Sequence, residues 1–242
     1  SVPAPTFPAV ARPGLDWLPA EAGLMAGVEL AALRELPWLL ALLDEAGGEV
    51  EQEPDYRAFV DATGFDYSRD LDRVWLSLFG ASEQPHVAGV AEGRFDRAAI
   101  VAYARQQGAT VSSDRGVEIY EAPLEGTRGR NRFAFAFLDE RRLAFGSDTE
   151  RVRQVLACAA GRAPAVGTDE ARRAEIELAS AGQQAWLVND PARWQPPTGG
   201  FDFGEEKIDE LLSQLVLGLR ADAERLEVSA QAHFHDQEKA DS

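Results

Sequence analysis

Reactive and ligating side chains are scarce: the 242 residues include one cysteine, three histidines and two lysines. The lone Cys158 has no partner for an internal disulfide and no companions for a thiolate metal site. Its setting, RVRQVLACAAGR, is a small-residue helix face on which a buried, unreactive thiol is expected. Apart from Lys207 and Lys239 every basic side chain other than histidine is arginine, a pattern of coding bias rather than of function. No run approaches the ~20 apolar residues that span a bilayer. The longest, LPWLLALL, is too short and contains Pro37. There is no G-x-S-x-G, no Walker loop, no dinucleotide fingerprint and no CxxC. An enzyme made from this inventory would depend on carboxylates alone, so the chain reads as non-catalytic and cofactor-free.

Positive charge is also in deficit. Twenty-four basic residues against 41 acidic ones give a net charge of −17 and a pI near 4.6. Such a surface repels phosphate backbones and anionic headgroups, which excludes nucleic acid as a partner. Apolar residues, by contrast, are plentiful. At 45% hydrophobic and 9% aromatic, the chain can bury a sizeable core and is not a disordered one.

The opening SVPAPTFPAVARPG is rich in proline and reads as an extended tether over residues 1–18. Such a tether fits a chain that follows a removed export signal or a lipid anchor lying outside it. A first α+β unit is expected over 19–166. Within it GLMAGVEL reads as a strand, LAALRELPWLLALLDEAGG as a Leu-rich helix and EPDYRAFVDATG as another. RVWLSLFG and HVAGVAEGRF form a hairpin, DRAAIVAYARQQG a helix and GVEIYEAP a strand. RFAFAFLDERRLAFGS, with Phe133, Phe135 and Phe137 alternating with alanine, is the clearest hairpin. DTERVRQVLACAAG follows as a helix capped by Asp148.

A second, shorter unit is expected over 167–235, packed with the first and followed by a tail, 236–242. DEARRAEIELAS reads as a helix, QQAWLVND as a strand, EEKIDELLSQLVLGLRA as a helix and ERLEVSAQAHF as a strand. The order strand, helix, strand suggests a partial internal duplication, with AWLVND matching LMAGVE and RLEVSAQAHF matching RVWLSLFG. The second copy then stops early, which reads as a chain cut short. Paired strands with helices between hairpins indicate an α+β protein, a mainly antiparallel sheet with helices packed on one face.

Each constellation that hints at chemistry has a structural explanation. In VAEGRFDRAAI a single Gly93 precedes Asp96; a phosphate loop needs more glycines, and a carboxylate at a helix start repels an anion. Asp96 is therefore a helix cap. Asp66, Asp70 and Asp72 lie among Arg69 and Arg73, which points to capping and ion pairing rather than acid–base work. In HFHD, His233 and His235 share one strand face with Asp236 next in line. A metal-dependent or carboxylate-based hydrolase using these histidines is the alternative to a binding protein. The connection NDPARWQPPTGGFDFGEE carries Trp194, Phe201 and Phe203. Aromatic residues on so long a loop either fold back as a lid or are displayed to a partner, and these three are the candidate partner-binding residues.

Four phrases, LDWLPAEAGLMAGVELAALR, TGFDYSRDLDRVWLSLFG, AGVAEGRFDRAAIVAYARQQG and DERRLAFGSDTERVRQVL, resemble a family of uncharacterised, exported, often lipoprotein-like bacterial proteins. They span about the first two thirds of the chain. The resemblance implies a periplasmic or cell-envelope location and a helix-covered antiparallel sheet, and it brings no catalytic residues. The expected function is binding of a protein or small apolar ligand. A third reading is a structural envelope protein that self-associates through a sheet edge.

Overall fold

The computed structural model describes residues 13–36, 38, 54–80, 85–123, 132–194 and 212–234. In chain order these form α1 (Pro13–Trp17), β1 (Leu24–Val28), α2 (Leu30–Arg34), α3 (Pro54–Thr63), α4 (Tyr67–Asp70), β2 (Leu71–Phe79) and β3 (His86–Gly93). They continue with α5 (Arg97–Gln106), β4 (Thr110–Asp114), β5 (Val117–Pro123), β6 (Arg132–Phe137), β7 (Arg142–Gly146) and α6 (Thr149–Ala159). Last come α7 (Glu170–Ser180), β8 (Ala185–Asn189), β9 (Leu212–Ala221) and β10 (Leu226–Phe234). The strands make one sheet of ten in the order β10-β9-β8-β1-β2-β3-β7-β6-β5-β4. Every neighbouring pair is antiparallel, so the protein is α+β.

The alternation in RFAFAF assigns the two faces. Ala134 and Ala136, with Ala144 of β7, point to a first face where α6 lays Val152, Val155 and Leu156 against them. Their small side chains let the helix sit close, and all three alanines are fully buried. Phe135 and Phe137 point the other way, beneath Ile100 and Ala104 of α5. Helices were expected on one face only; they cover both. The correction follows from the pattern itself, since phenylalanine alternating with alanine makes both sides of β6 apolar.

On the first face Gly27 of β1 lies between two indoles, opposite Trp75 of β2 and Trp186 of β8. A β-carbon on Gly27 would sit 2.5 Å from Trp186 Nε1, so the absence of a side chain is what lets the ring lie across the strand. Trp17, at 1% exposure, sits over this layer with the Arg142 guanidinium 4.6 Å from its ring centre. Leu15, Trp17 and Leu18 all belong to the core, so the expected tether does not extend to residue 18: from residue 13 the chain is folded. Four prolines and Gly14 mark the opening as extended, yet the three large apolar residues that follow Gly14 outweigh them once α6 is available to pack on.

The acidic surplus terminates helices. Asp96, Asp148 and Asp169 each occupy an N-cap and accept an N–H bond from the third residue on, at 3.0, 2.9 and 3.1 Å. Cys158 is buried, with Pro164 O 3.5 Å from its Sγ, and burial pushes its thiol up to about 12. A thiol held that high carries almost no thiolate at neutral pH. The native protein is therefore expected to resist an aromatic disulfide reagent and to release one equivalent of thiolate only in urea; prompt reaction of the folded protein would contradict this placement.

Two expected elements change. The helix foreseen over EEKIDELLSQLVLGLRA is a strand from Leu212 to Ala221. Leucines 211, 212 and 215 mimic a helical spacing, but Leu215, Leu217 and Leu219 alternate, and pairing with β8 and β10 on either side decides in favour of the sheet. Strand β4 was not foreseen, because TVSSD has almost no apolar content; it forms through its backbone ladder with β5. Of the Leu-rich helix, Leu30–Arg34 is seen, while Leu40 and Leu43 lie outside the described residues.

The suggested duplication has a different correspondence. β1 pairs with β2 and β8 pairs with β9, and β1 and β8 lie side by side about a centre at Ala26 and Leu187. A strand, a long excursion and a hairpin occur twice, so β9 and β10, not β10 alone, are the counterparts of β2 and β3.

Candidate binding surface

The second face carries an apolar row that crosses nine strands. Direct cross-strand neighbours run Ala230, Leu217, Leu187, Ala26, Leu76, Gly89, Phe145, Phe135 and Tyr120. Gly89 has no side chain because Phe145 lies over it: a β-carbon there would collide with that ring. At the β5–β7 end α5 covers the row, and Phe59 of α3 packs on that cluster. At the opposite end of β1, Leu33 and Leu36 pack with Val28, Leu219 and Ala221.

Between these covers the row opens outward. Leu187, Leu76 and Leu217 are half-buried, and on β10 the exposure rises to 38% at Leu226 and 68% at Val228. The alternation in β10 is strict. Leu226, Val228, Ala230 and Ala232 continue the apolar face, whereas Glu227, Ser229, Gln231 and His233 face the other way. Among the described residues a fully buried polar side chain enters the apolar face: Asn189, at 1% exposure between Leu24 and Leu215, whose Oδ1 accepts no hydrogen bond. A buried, unmatched acceptor is costly unless something donates to it.

The residues singled out from the sequence do not gather into one site. Trp194 is buried, its N–H donating to Asp190 O at 3.0 Å and its β-carbon against Gly23, on the side of the loop facing the core. Phe201 and Phe203 lie outside the described residues, as does His235. His233 is exposed on the polar side of β10, and His86 lies 3.3 Å from Asp148 at the start of α6. Among the described residues no three His, Cys, Asp or Glu side chains are grouped to hold a metal ion.

The acid-rich turn before β2 is a set of ion pairs and caps. Asp66 Oδ1 caps α4, accepting from Ser68 N at 2.9 Å. Asp70, 8% exposed, accepts from Arg69 Nη2 at 2.6 Å and from Asp66 N at 3.0 Å, with Arg94 3.3 Å away. The Arg69 hydrogen bond, and then the Asp66 N–H, hold its carboxyl below the ordinary range against the opposing effect of burial. Asp72 bridges Arg34 at 2.6 Å and Arg141 at 2.7 Å. Gly93 admits the close approach of Asp70 O, and the GRF turn is thus a packing device. Beside it, a cavity of about 240 Å³ is lined by Tyr56, Arg57, Val60, Asp61 and Asp66. Burial raises the Tyr56 phenol to about 12, so it stays protonated there and is no base.

The fold is similar to that of TP0453. Crystal form IV of that protein superposes with a TM-score of 0.55 at 14% identity, over 90% of this chain and 78% of the other. Crystal form I gives a TM-score of 0.55 at 15% identity, over 94% and 81%. Identities this low establish a shared fold and nothing finer. No protein-family model and no curated protein matches the sequence. Among the described residues no helix is long and apolar enough to cross a membrane.

The apolar row escaped the sequence reading because it is assembled from strands far apart in the chain. Its one local signal was the two-residue period of LEVSAQAHF, which marks an amphipathic strand without showing that the apolar side stays open.

Proposed function

We propose that this chain is a non-catalytic, exported domain of the periplasm or cell envelope that works by binding a small apolar ligand on the second face of its sheet. The observation that carries the reading is the uninterrupted cross-strand row from Tyr120 to Ala230, covered by α5 at one end and opening between Leu187 and β10. Burying such a row against a ligand yields about 25 cal/mol per Å² of apolar surface removed from water. The phrases resembling exported lipoprotein-like proteins support the location. Of the three aromatic residues of the 189–206 loop, Trp194 does not serve as the primary contact, because it is buried.

The test uses Nile red, a neutral polarity-sensitive dye that the charge of −17 does not repel. The folded protein should bind it saturably with a blue-shifted emission. Replacing Leu187 and Leu217 together by serine should weaken binding about tenfold or more, the loss of about 1.4 kcal/mol of apolar contact. Circular dichroism confirms that the variant remains folded. Equal binding by the wild type and a folded double variant would remove the second face as the ligand site.

A further inference from the structure

We propose that two copies of this chain pair antiparallel along β10, joining their sheets edge to edge across a two-fold axis through Ala230. This goes beyond the ligand reading and does not depend on it.

Among the described residues strand β10 ends the sheet, nine residues long and exposed along nearly its whole length. Its outward backbone groups belong to residues 226, 228, 230 and 232. Leu219 O is taken by Gln184 N on the β8 side at 2.9 Å, so Leu219 and its opposite residue Val228 do not bond to each other, and the alternation fixes the rest. Soluble proteins protect such edges with proline, lysine or a bulge. β10 has no proline and no lysine, and the irregularity at its end adds Ser213 to β9 while β10 stays regular.

The sequence of the strand is self-complementary in one register. Centred on Ala230, antiparallel pairing uses all nine residues; other centres leave part of the strand unmatched. It sets Val228 opposite the partner's Ala232 and Leu226 opposite the partner's Phe234, extending the apolar face of one sheet into the next. On the other side Ser229 meets the partner's Gln231, and Glu227 meets the partner's His233, twice by symmetry. A carboxylate facing an imidazole N–H is a favourable cross-strand pair, where two acids would repel. Glu227 is the one acid in β10, so the surplus charge of the chain sits elsewhere and acts through screened solvent, with a Debye length of about 8 Å at physiological salt. An interface in which each copy presents the same patch is the commonest form of homodimer.

The full chain should therefore show a concentration-dependent doubling of mass by light scattering between about 1 and about 100 µM, the range of a micromolar dissociation constant. Ala230→Pro removes the N–H at the axis and leaves the β9 ladder intact, so it should yield a monomer whose melting temperature matches that of the wild type diluted below its dissociation constant. Val228→Lys should do the same by setting a charged side chain against the apolar face of the partner's strand, opposite its Ala232. His233→Glu should weaken the dimer about tenfold by opposing Glu227 with an acid, and adding Glu227→Lys should restore it; that recovery fixes the register and cannot come from misfolding. A wild-type monomer up to about 100 µM, or a dimer indifferent to both Ala230→Pro and Val228→Lys, would overturn the proposal. Nile red binding by the His233→Glu variant keeps the ligand reading separate, since His233 lies on the other face of β10 and no residue of the apolar row is changed.

Discussion

Replacement of Trp194 by alanine should cost about 3–5 kcal/mol of unfolding free energy, the range for deleting a large buried aromatic ring. The ring is 7% exposed and its residue sits where the chain leaves β8, tied to Asp190 by its own N–H and packed by its β-carbon against Gly23. A cavity of that size between the start of β1 and the loop that follows β8 leaves the neighbouring backbone without contacts, and the structure can close over it only in part. Urea unfolding followed by circular dichroism measures the effect. The result also decides between the two roles open to an aromatic residue on a long loop. A displayed ring costs less than about 1 kcal/mol to remove, as exposed positions generally do. A large loss assigns Trp194 to the lid and leaves recognition to the sheet face.

Gly27→Val should also be damaging, with a loss of about 3 kcal/mol and poor soluble yield. The position is central in β1, flanked in register by Trp75 and Trp186, and there is no space between the rings for a branched side chain. Trp186 cannot swing outward, because Val188 of the same strand and Ile176 of α7 fill the adjoining core. The explanation has a specific consequence. In a Trp186→Ala background the valine gains room, so the two substitutions together should cost less than the sum of their separate effects by about 1–3 kcal/mol. Simple additivity would show that the defect lies in the backbone of β1 and not in the indole.

Both expectations concern residues whose neighbours are remote in sequence, and that marks the boundary of what could be read from the chain alone. Local chemistry was legible. Asp96 and Asp148 stand where a helix begins and do cap it. Phenylalanine alternating with alanine in β6 makes a strand whichever partners it has. The Arg69–Asp70 ion pair of the turn before β2 was visible as opposite charges side by side. In each case the interacting groups lie close along the chain, so the sequence itself brings them together.

Tertiary contacts decided the rest. LLSQLVLGLRA has leucines at both helical and strand spacing, and only the backbone partners offered by β8 and β10 settle it as β9. TVSSD becomes a strand because β5 lies next to it. Leu15, Trp17 and Leu18 leave the proline-rich opening for the core because α6 and the first face of the sheet provide a surface that removes them from water. The candidate surface is of the same kind. Leu187, Leu217, Leu76 and Ala26 come from four strands that no local pattern connects, and their row exists only through the cross-strand register. The sequence alone determined composition, caps, turns and most strands, since these are settled by short-range sterics and hydrogen bonds. Only the folded chain decided which apolar residues share a face and which of them water still reaches, because burial is a property of the whole arrangement.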